Sequence, residues 1–226
     1  MLDRFSWKSY DLNSYLPSGW KKQIIEAAGL SDAKVLLPRS VTSREGNPDL
    51  QLPVLTLNGI KLKERLPWLF ELYRTVFRDL AQLGAAEPVH CASQDVYAAV
   101  LNVQRGSSMR YEAHVDSNPI EGLLYVTSHP KGTGGELVVA NTPAANSVSE
   151  IDADCSTIYP VEGNLVFFDA RRFPHYVRHL NGENDIRVVV AMNFYTPSCP
   201  ESARPKDLSS HLFGYSTGTD KIIAAK

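Results

Sequence analysis

From Val89 onward the chain is a succession of short apolar segments: Val96 to Val103, Leu123 to Thr127, Glu136 to Ala140, Thr157 to Val161, Asn164 to Phe168, Tyr176 to His179, and Ile186 to Tyr195. Segments this short suit strands better than helices, and clusters of Gly, Pro, Asn or Ser separate most of them. Turn signals stand at Asn118-Pro119, Lys131-Gly132-Thr133-Gly134-Gly135, Glu162-Gly163 and Asn181-Gly182. The pattern predicts an antiparallel, double-sheet core over residues 87–197.

Ahead of that core the periodicity is helical. Residues 21–29 read as a short helix with Ser18 as a candidate N-cap and Gly29 as its stop. Between Lys61 and Leu83, apolar side chains from Leu62 to Leu80 recur at steps of three and four, as one packed helix face requires. Pro67 fits a first helical turn and Gly84 a stop. Residues 1–86 are therefore expected as a helical flank, and residues 198–226 as a polar C-terminal extension, loop or lid. The whole reads as a single domain of 226 residues. A dinucleotide-binding unit is excluded, because the glycines at 132–135 lead into the strand-like run Glu136-Leu-Val-Val-Ala140 rather than a helix.

Composition narrows the function. A hydrophobic fraction of 43% rules out a wholly disordered chain, and a net charge of -2 gives no electrostatic reason for a nucleic-acid partner. No apolar run approaches the ~18 residues of a membrane span, and Met1-Leu2-Asp3-Arg4 does not open a signal sequence. A cytoplasmic protein without a membrane partner is the expectation. Cys91, Cys155 and Cys199 are too widely spaced for a CxxC pair and read as free thiols in a reducing compartment.

His114-Val115-Asp116 sets two metal-capable side chains two residues apart, and on an extended segment both point the same way. A third ligand must come from elsewhere; His175, 61 residues on (175 - 114), opens the segment Tyr176-Val177. Two imidazoles and one carboxylate suit a non-haem Fe(II) centre with positions left for substrate and oxygen. Arg187 opens the apolar run Val188-Val189-Val190, where a charge is costly unless it meets an anion. A carboxylate gripped by the guanidinium fork satisfies both charge and geometry. His90, His129, His179 and His211 have no comparable set of partners.

The ordered set His114-x-Asp116, Gly122-Leu-Leu-Tyr-Val126, Gly134-Gly-Glu-Leu137, Gly163-Asn-Leu-Val-Phe-Phe-Asp169, His175-x-Val177 and Arg187 resembles the Fe(II)/2-oxoglutarate-dependent oxygenase superfamily. It spans residues 95–197 and is closest in pattern to the prolyl-hydroxylase-like and small-molecule hydroxylase branches. The resemblance implies a mainly β fold with flanking helices, a distorted double-stranded β-helix or cupin-like jelly roll. It further implies that His114, Asp116 and His175 bind Fe(II) and that Arg187 holds the distal carboxylate of 2-oxoglutarate. O2 is then the second co-substrate, with succinate and CO2 released. Asp116 favours hydroxylation over halogenation, since halogenating relatives commonly carry a small residue at the carboxylate position.

Tyr125 is expected near the co-substrate, and Arg110, Tyr111, Asn118, Arg172 and Asn193 near the substrate. The expected substrate is a polar small molecule such as an amino acid derivative or natural-product intermediate. The alternatives are a prolyl-type protein hydroxylase and a non-catalytic, metal-dependent sensing jelly roll.

Overall fold

The computed structural model describes residues 4–213. The chain begins with β1 (Trp7–Asp11), α1 (Trp20–Ala28), β2 (Asp32–Leu36) and β3 (Leu52–Leu57). A helical layer follows: α2 (Gly59–Arg65), α3 (Pro67–Leu72), a π-helical turn at Tyr73–Phe77, and α4 (Arg78–Gln82). Then come β4 (His90–Cys91), α5 (Asp95–Ala98), β5 (Ala99–Arg105), β6 (Tyr111–His114), β7 (Ile120–Tyr125) and β8 (Leu137–Ala140). The last elements are α6 (Val148–Ala153), β9 (Cys155–Ile158), β10 (Asn164–Phe168), β11 (His175–Val177), β12 (Ile186–Tyr195), a 3-10 turn at Glu201–Ala203, and α7 (Leu208–Phe213).

The strands form two antiparallel sheets. The larger runs β1-β10-β7-β12-β5-β3-β2, with β4 also paired to β12; the smaller runs β6-β11-β8-β9. Alternate residues of β12 point to opposite faces. Val188, Val190, Met192 and Phe194 pack with Leu62, Leu69, Phe70, Tyr73 and Phe77 of the helical layer. Val189 instead joins Tyr125, Leu137, Val139, Phe168 and Val177 between the sheets. Burial of both faces explains why this strand reads as an almost unbroken apolar run.

Three expectations are corrected. Residues 1–86 are not only helical, because β1, β2 and β3 extend the large sheet. The strands β1 and β2 are its two edges and largely exposed, so they lack the apolar alternation that marks a strand in sequence. The predicted 61–83 helix is broken at Leu66, whose backbone lies at φ -130 and ψ 63. Its neighbour is Pro67, whose ring disfavours helical geometry in the residue before it, so Pro67 opens a second helix instead. The cap of α1 is Gly19 at φ 74, not Ser18, and no side chain caps that end.

The extension after residue 197 is also more than polar loop. Phe213, Leu208 and Leu212 of α7 pack with Val96, Tyr97 and Val100. Residues 214–226 of that extension lie outside the described residues. The predicted turn at 131–135 is present, and Gly134 is required there: at φ +80, a Cβ would lie 2.2 Å from the His179 carbonyl oxygen.

Candidate metal and co-substrate site

The pairing of β11 with β6 sets His175 directly across from His114. Their ring centroids are 4.3 Å apart. Asp116 follows the end of β6, with Oδ1 3.2 Å from His114 Nε2 and Oδ2 3.7 Å from His175 Nε2. One ligand atom from each of the three residues lies within 4.8 Å of the other two. Both imidazoles are held in the same way: Nδ1 of His114 faces the Glu112 carbonyl at 2.8 Å, and Nδ1 of His175 faces the Phe173 carbonyl at 3.0 Å. Each Nδ1–H donates to a carbonyl two residues upstream, so each Nε2 turns toward Asp116.

The charges in this cluster are linked. Burial opposes protonation of His114, but the hydrogen bond and charge of Asp116, with Glu112 adding to them, raise its pKa to about 9. Burial and the positive His114 lower His175 to about 4. Burial also works against ionising Asp116, yet His114 and His175 outweigh it and keep the carboxyl below its usual range. Two imidazoles around one carboxylate make a donor set that fits a divalent iron.

The triad lines a cavity of about 100 Å³ between the sheets, shared with Glu121, Leu123, Arg187 and Asn193. Its floor is built of rungs. Glu121 pairs with Asn193, Leu123 with Ala191, and Tyr125 with Val189, which pairs on its other side with Asn102. Arg187, on the same face of β12, is 2% exposed, and its guanidinium carbon sits 5.6 Å from the Tyr125 ring centroid. Arg187 Nε and Tyr125 Oη are buried without a hydrogen-bond partner, and so is Asn102 Oδ1. Burial pulls the Arg187 pKa down, with Tyr125 and Glu136 opposing it. An interior guanidinium with an unmet donor, in one cavity with a metal-type triad, fits the distal carboxylate of 2-oxoglutarate.

The remaining predicted residues divide. Tyr111 lines the cavity, its ring centroid 5.2 Å from that of His114. Asn193 also lines it, while its Nδ2 donates to the Tyr97 carbonyl. Asn118 is 1% exposed and donates to Glu121 Oε2 and to the Ile120 carbonyl, both at 2.9 Å. It lines an adjoining pocket with Asp116, Asn193, His211 and Leu212. Arg110 is not brought to the cavity: its guanidinium pairs with the buried carboxylate of Glu45, which also accepts from Ala113 N at 2.7 Å. Arg172 is exposed and lies over the Phe173 ring, 5.4 Å from its centroid.

The sequence reading missed Glu121 and Asn102. Glu121 is 5% exposed. Burial and the charge of Asp116 hold its carboxyl well above the usual range. The signal was available, because an acid beside Gly122-Leu-Leu-Tyr125 with the strand parity of Tyr125 must face the same interior.

Residues 98–195 match the family model described as the 2OG-Fe(II) oxygenase superfamily. By sequence, no curated protein matches the chain. Among solved structures, the chain is similar to AviO1 from Streptomyces viridochromogenes Tue57, with a TM-score of 0.61 and 14% identity over 88% of this chain and 93% of that one. It is also similar to SnoN, a non-haem alpha ketoglutarate dependent epimerase from nogalamycin biosynthesis, with a TM-score of 0.57 and 14% identity over 88% of this chain and 84% of that one. A prolyl hydroxylase from Trichoplax adhaerens, crystallised with a peptide fragment of hypoxia inducible factor, gives a TM-score of 0.53 and 15% identity over 87% and 86% of the two chains.

These likenesses carry the fold, a double-stranded β-helix. Residues 98–195 are thus similar to the 2OG-Fe(II) oxygenase superfamily, and the His114, Asp116 and His175 donor set of the cavity is one that suits the Fe(II) of such enzymes.

Proposed function

We propose that this enzyme hydroxylates a polar small molecule, with Fe(II) held by His114, Asp116 and His175 and the distal carboxylate of 2-oxoglutarate held by Arg187. The observation that carries the reading is the buried Arg187 donor in the cavity that the triad lines. Iron with 2-oxoglutarate and O2 supplies the oxidising power, giving succinate, CO2 and one oxygen atom inserted into the substrate.

The chain's own groups supply order and dryness. The Nδ1 bonds to Glu112 and Phe173 fix both imidazoles, so little reorganisation remains when metal binds. Leu123, Leu137, Val177, Val189 and Ala191 give the cavity an apolar lining, whose low polarity strengthens the contact of Arg187 with an anion. Tyr111 packs beside His114 and limits where a substrate carbon can approach.

A small substrate is favoured because Leu208, His211 and Leu212 of α7 line the adjoining pocket and Leu212 reaches the cavity itself, which narrows the space beside the triad. The neighbours that act in natural-product biosynthesis support the same reading. The test is aerobic turnover with Fe(II), 2-oxoglutarate and a metabolite panel, followed by mass spectrometry. Succinate formed in step with a metabolite heavier by one oxygen atom is expected. Oxygen appearing only in prolyl peptides would replace the small-molecule reading with the protein-hydroxylase one. With chloride present, wild type should give no chlorinated product, and Asp116→Gly should lose activity rather than become a halogenase.

A further inference from the structure

The two ends of the cavity differ in charge. Arg187 supplies a cation at one end, and Glu121 places a carboxyl four residues from Tyr125 along β7, about 13 Å away at the rise of a strand. Glu121 is buried, and its carboxyl accepts from the Asn118 amide and faces the Met192 backbone N–H, both neutral groups. Among the described residues no Lys, Arg or His forms an ion pair with it, and the charge that acts on its carboxyl is the like charge of Asp116. Directly across the strand pair, Asn193 spends its amide nitrogen on Tyr97, while its amide oxygen takes no hydrogen bond among the described residues. Two acceptor groups thus line the same cavity, and among the described residues no Lys or Arg side chain pairs with either.

A purely structural role does not need this chemistry. Bracing the turn after Asp116 requires only an acceptor for Asn118, which a glutamine would provide without the cost of burying an acid. We propose that Glu121, with the Asn193 carbonyl opposite, is the recognition group for a substrate ammonium or guanidinium, so that the substrate class is a cationic, nitrogen-bearing small molecule. The inference rests on the oxygenase reading, in which 2-oxoglutarate takes the Arg187 end. A cation at the Glu121 end then lies beside Asp116, and the carbon skeleton attached to it is held against the metal ligands.

The test uses full-length protein loaded with Ni(II) and 2-oxoglutarate, titrated calorimetrically with n-butylamine and agmatine and, as neutral counterparts, n-butanol and N-acetylbutylamine. Wild type should prefer each cation over the neutral compounds by about tenfold or more, as a charge-assisted hydrogen bond requires. Glu121→Gln preserves size and the Asn118 bond and should erase the preference; Glu121→Asp should recover part of it. Equal affinity for cations and neutral compounds, undiminished cation binding by Glu121→Gln, or no cation binding to wild type at millimolar concentration would each overturn the proposal. Ni(II) and 2-oxoglutarate titrations run first keep the two claims apart. Failure there counts against the oxygenase site, whereas intact cofactor binding without cation preference counts against Glu121 alone.

Discussion

Before metal binds, Asp116 is balanced by a proton on His114, whose pKa stands at about 9, while His175 at about 4 is neutral. Metal and proton compete for the same Nε2. His114 is protonated below about 9, so metal affinity should rise by about tenfold per pH unit from ~6 toward 9 and then level off. At pH 7, calorimetry with Ni(II) in buffers of different ionisation heat should count about one proton released; none released would contradict the assigned charge state. At the other end of the cavity, Arg187→Leu should weaken 2-oxoglutarate binding roughly 100-fold, at a cost of about 2–5 kcal/mol, with Arg187→Lys intermediate. Apo-protein affinity for metal should change far less.

The metal-type residues and Arg187 were legible because their signals are local: donor types at strand spacing, and a cation at the head of an apolar run. Arg110 was misread because the acid that engages it, Glu45, lies 65 residues away. Glu121 carried the same kind of signal as Arg187 and was passed over.

Among the elements, β10 and β12 match their predicted bounds because both faces or one whole face of each is apolar. The edge strands β1 and β2 have no such signature, and the break at Pro67 depends on a backbone exclusion that apolar periodicity cannot report. The helix α7 was hidden because its attachment is long-range. His211 pairs with Glu112 of β6, the two side chains being 8% and 2% exposed, and Lys34 of β2 donates to the His211 carbonyl at 2.8 Å. His211→Ala strands the Glu112 carboxylate in the interior, a loss of order 3 kcal/mol, which a short terminal helix meets by opening locally. Hydrogen exchange should show protection of 208–213 falling more than tenfold with β5, β7 and β12 unchanged; unaltered protection would show that the pair does not hold α7. Elsewhere, Gly134→Ala should lower the melting temperature by several degrees, because the added Cβ meets the His179 and Leu180 backbone at 2.2 and 2.8 Å.

The molecule as a whole is a large sheet covered by helices on one face and by a second, smaller sheet on the other, with a cavity kept open between the sheets. That architecture was legible in the rhythm of short apolar segments, whereas the extension of the large sheet by N-terminal strands was not. Among the described residues no helix is long and apolar enough to cross a membrane. The cavity joins both sheets: His114 and His175 come from the small one, and Arg187, Tyr125 and Glu121 from the large one. Metal and co-substrate should therefore stabilise the fold as they bind, by about 2.7 kcal/mol for a ligand present at 100 times its dissociation constant.

The most direct test of the central claim is an anaerobic titration of the Fe(II)-loaded protein with 2-oxoglutarate, followed through the metal-to-ligand charge-transfer band. Wild type should develop the band with one equivalent of iron and one of 2-oxoglutarate. His175→Ala should not develop it, and folded Arg187→Leu should require about 100-fold more 2-oxoglutarate. Absence of the band in wild type, or wild-type affinity in Arg187→Leu, would contradict the account.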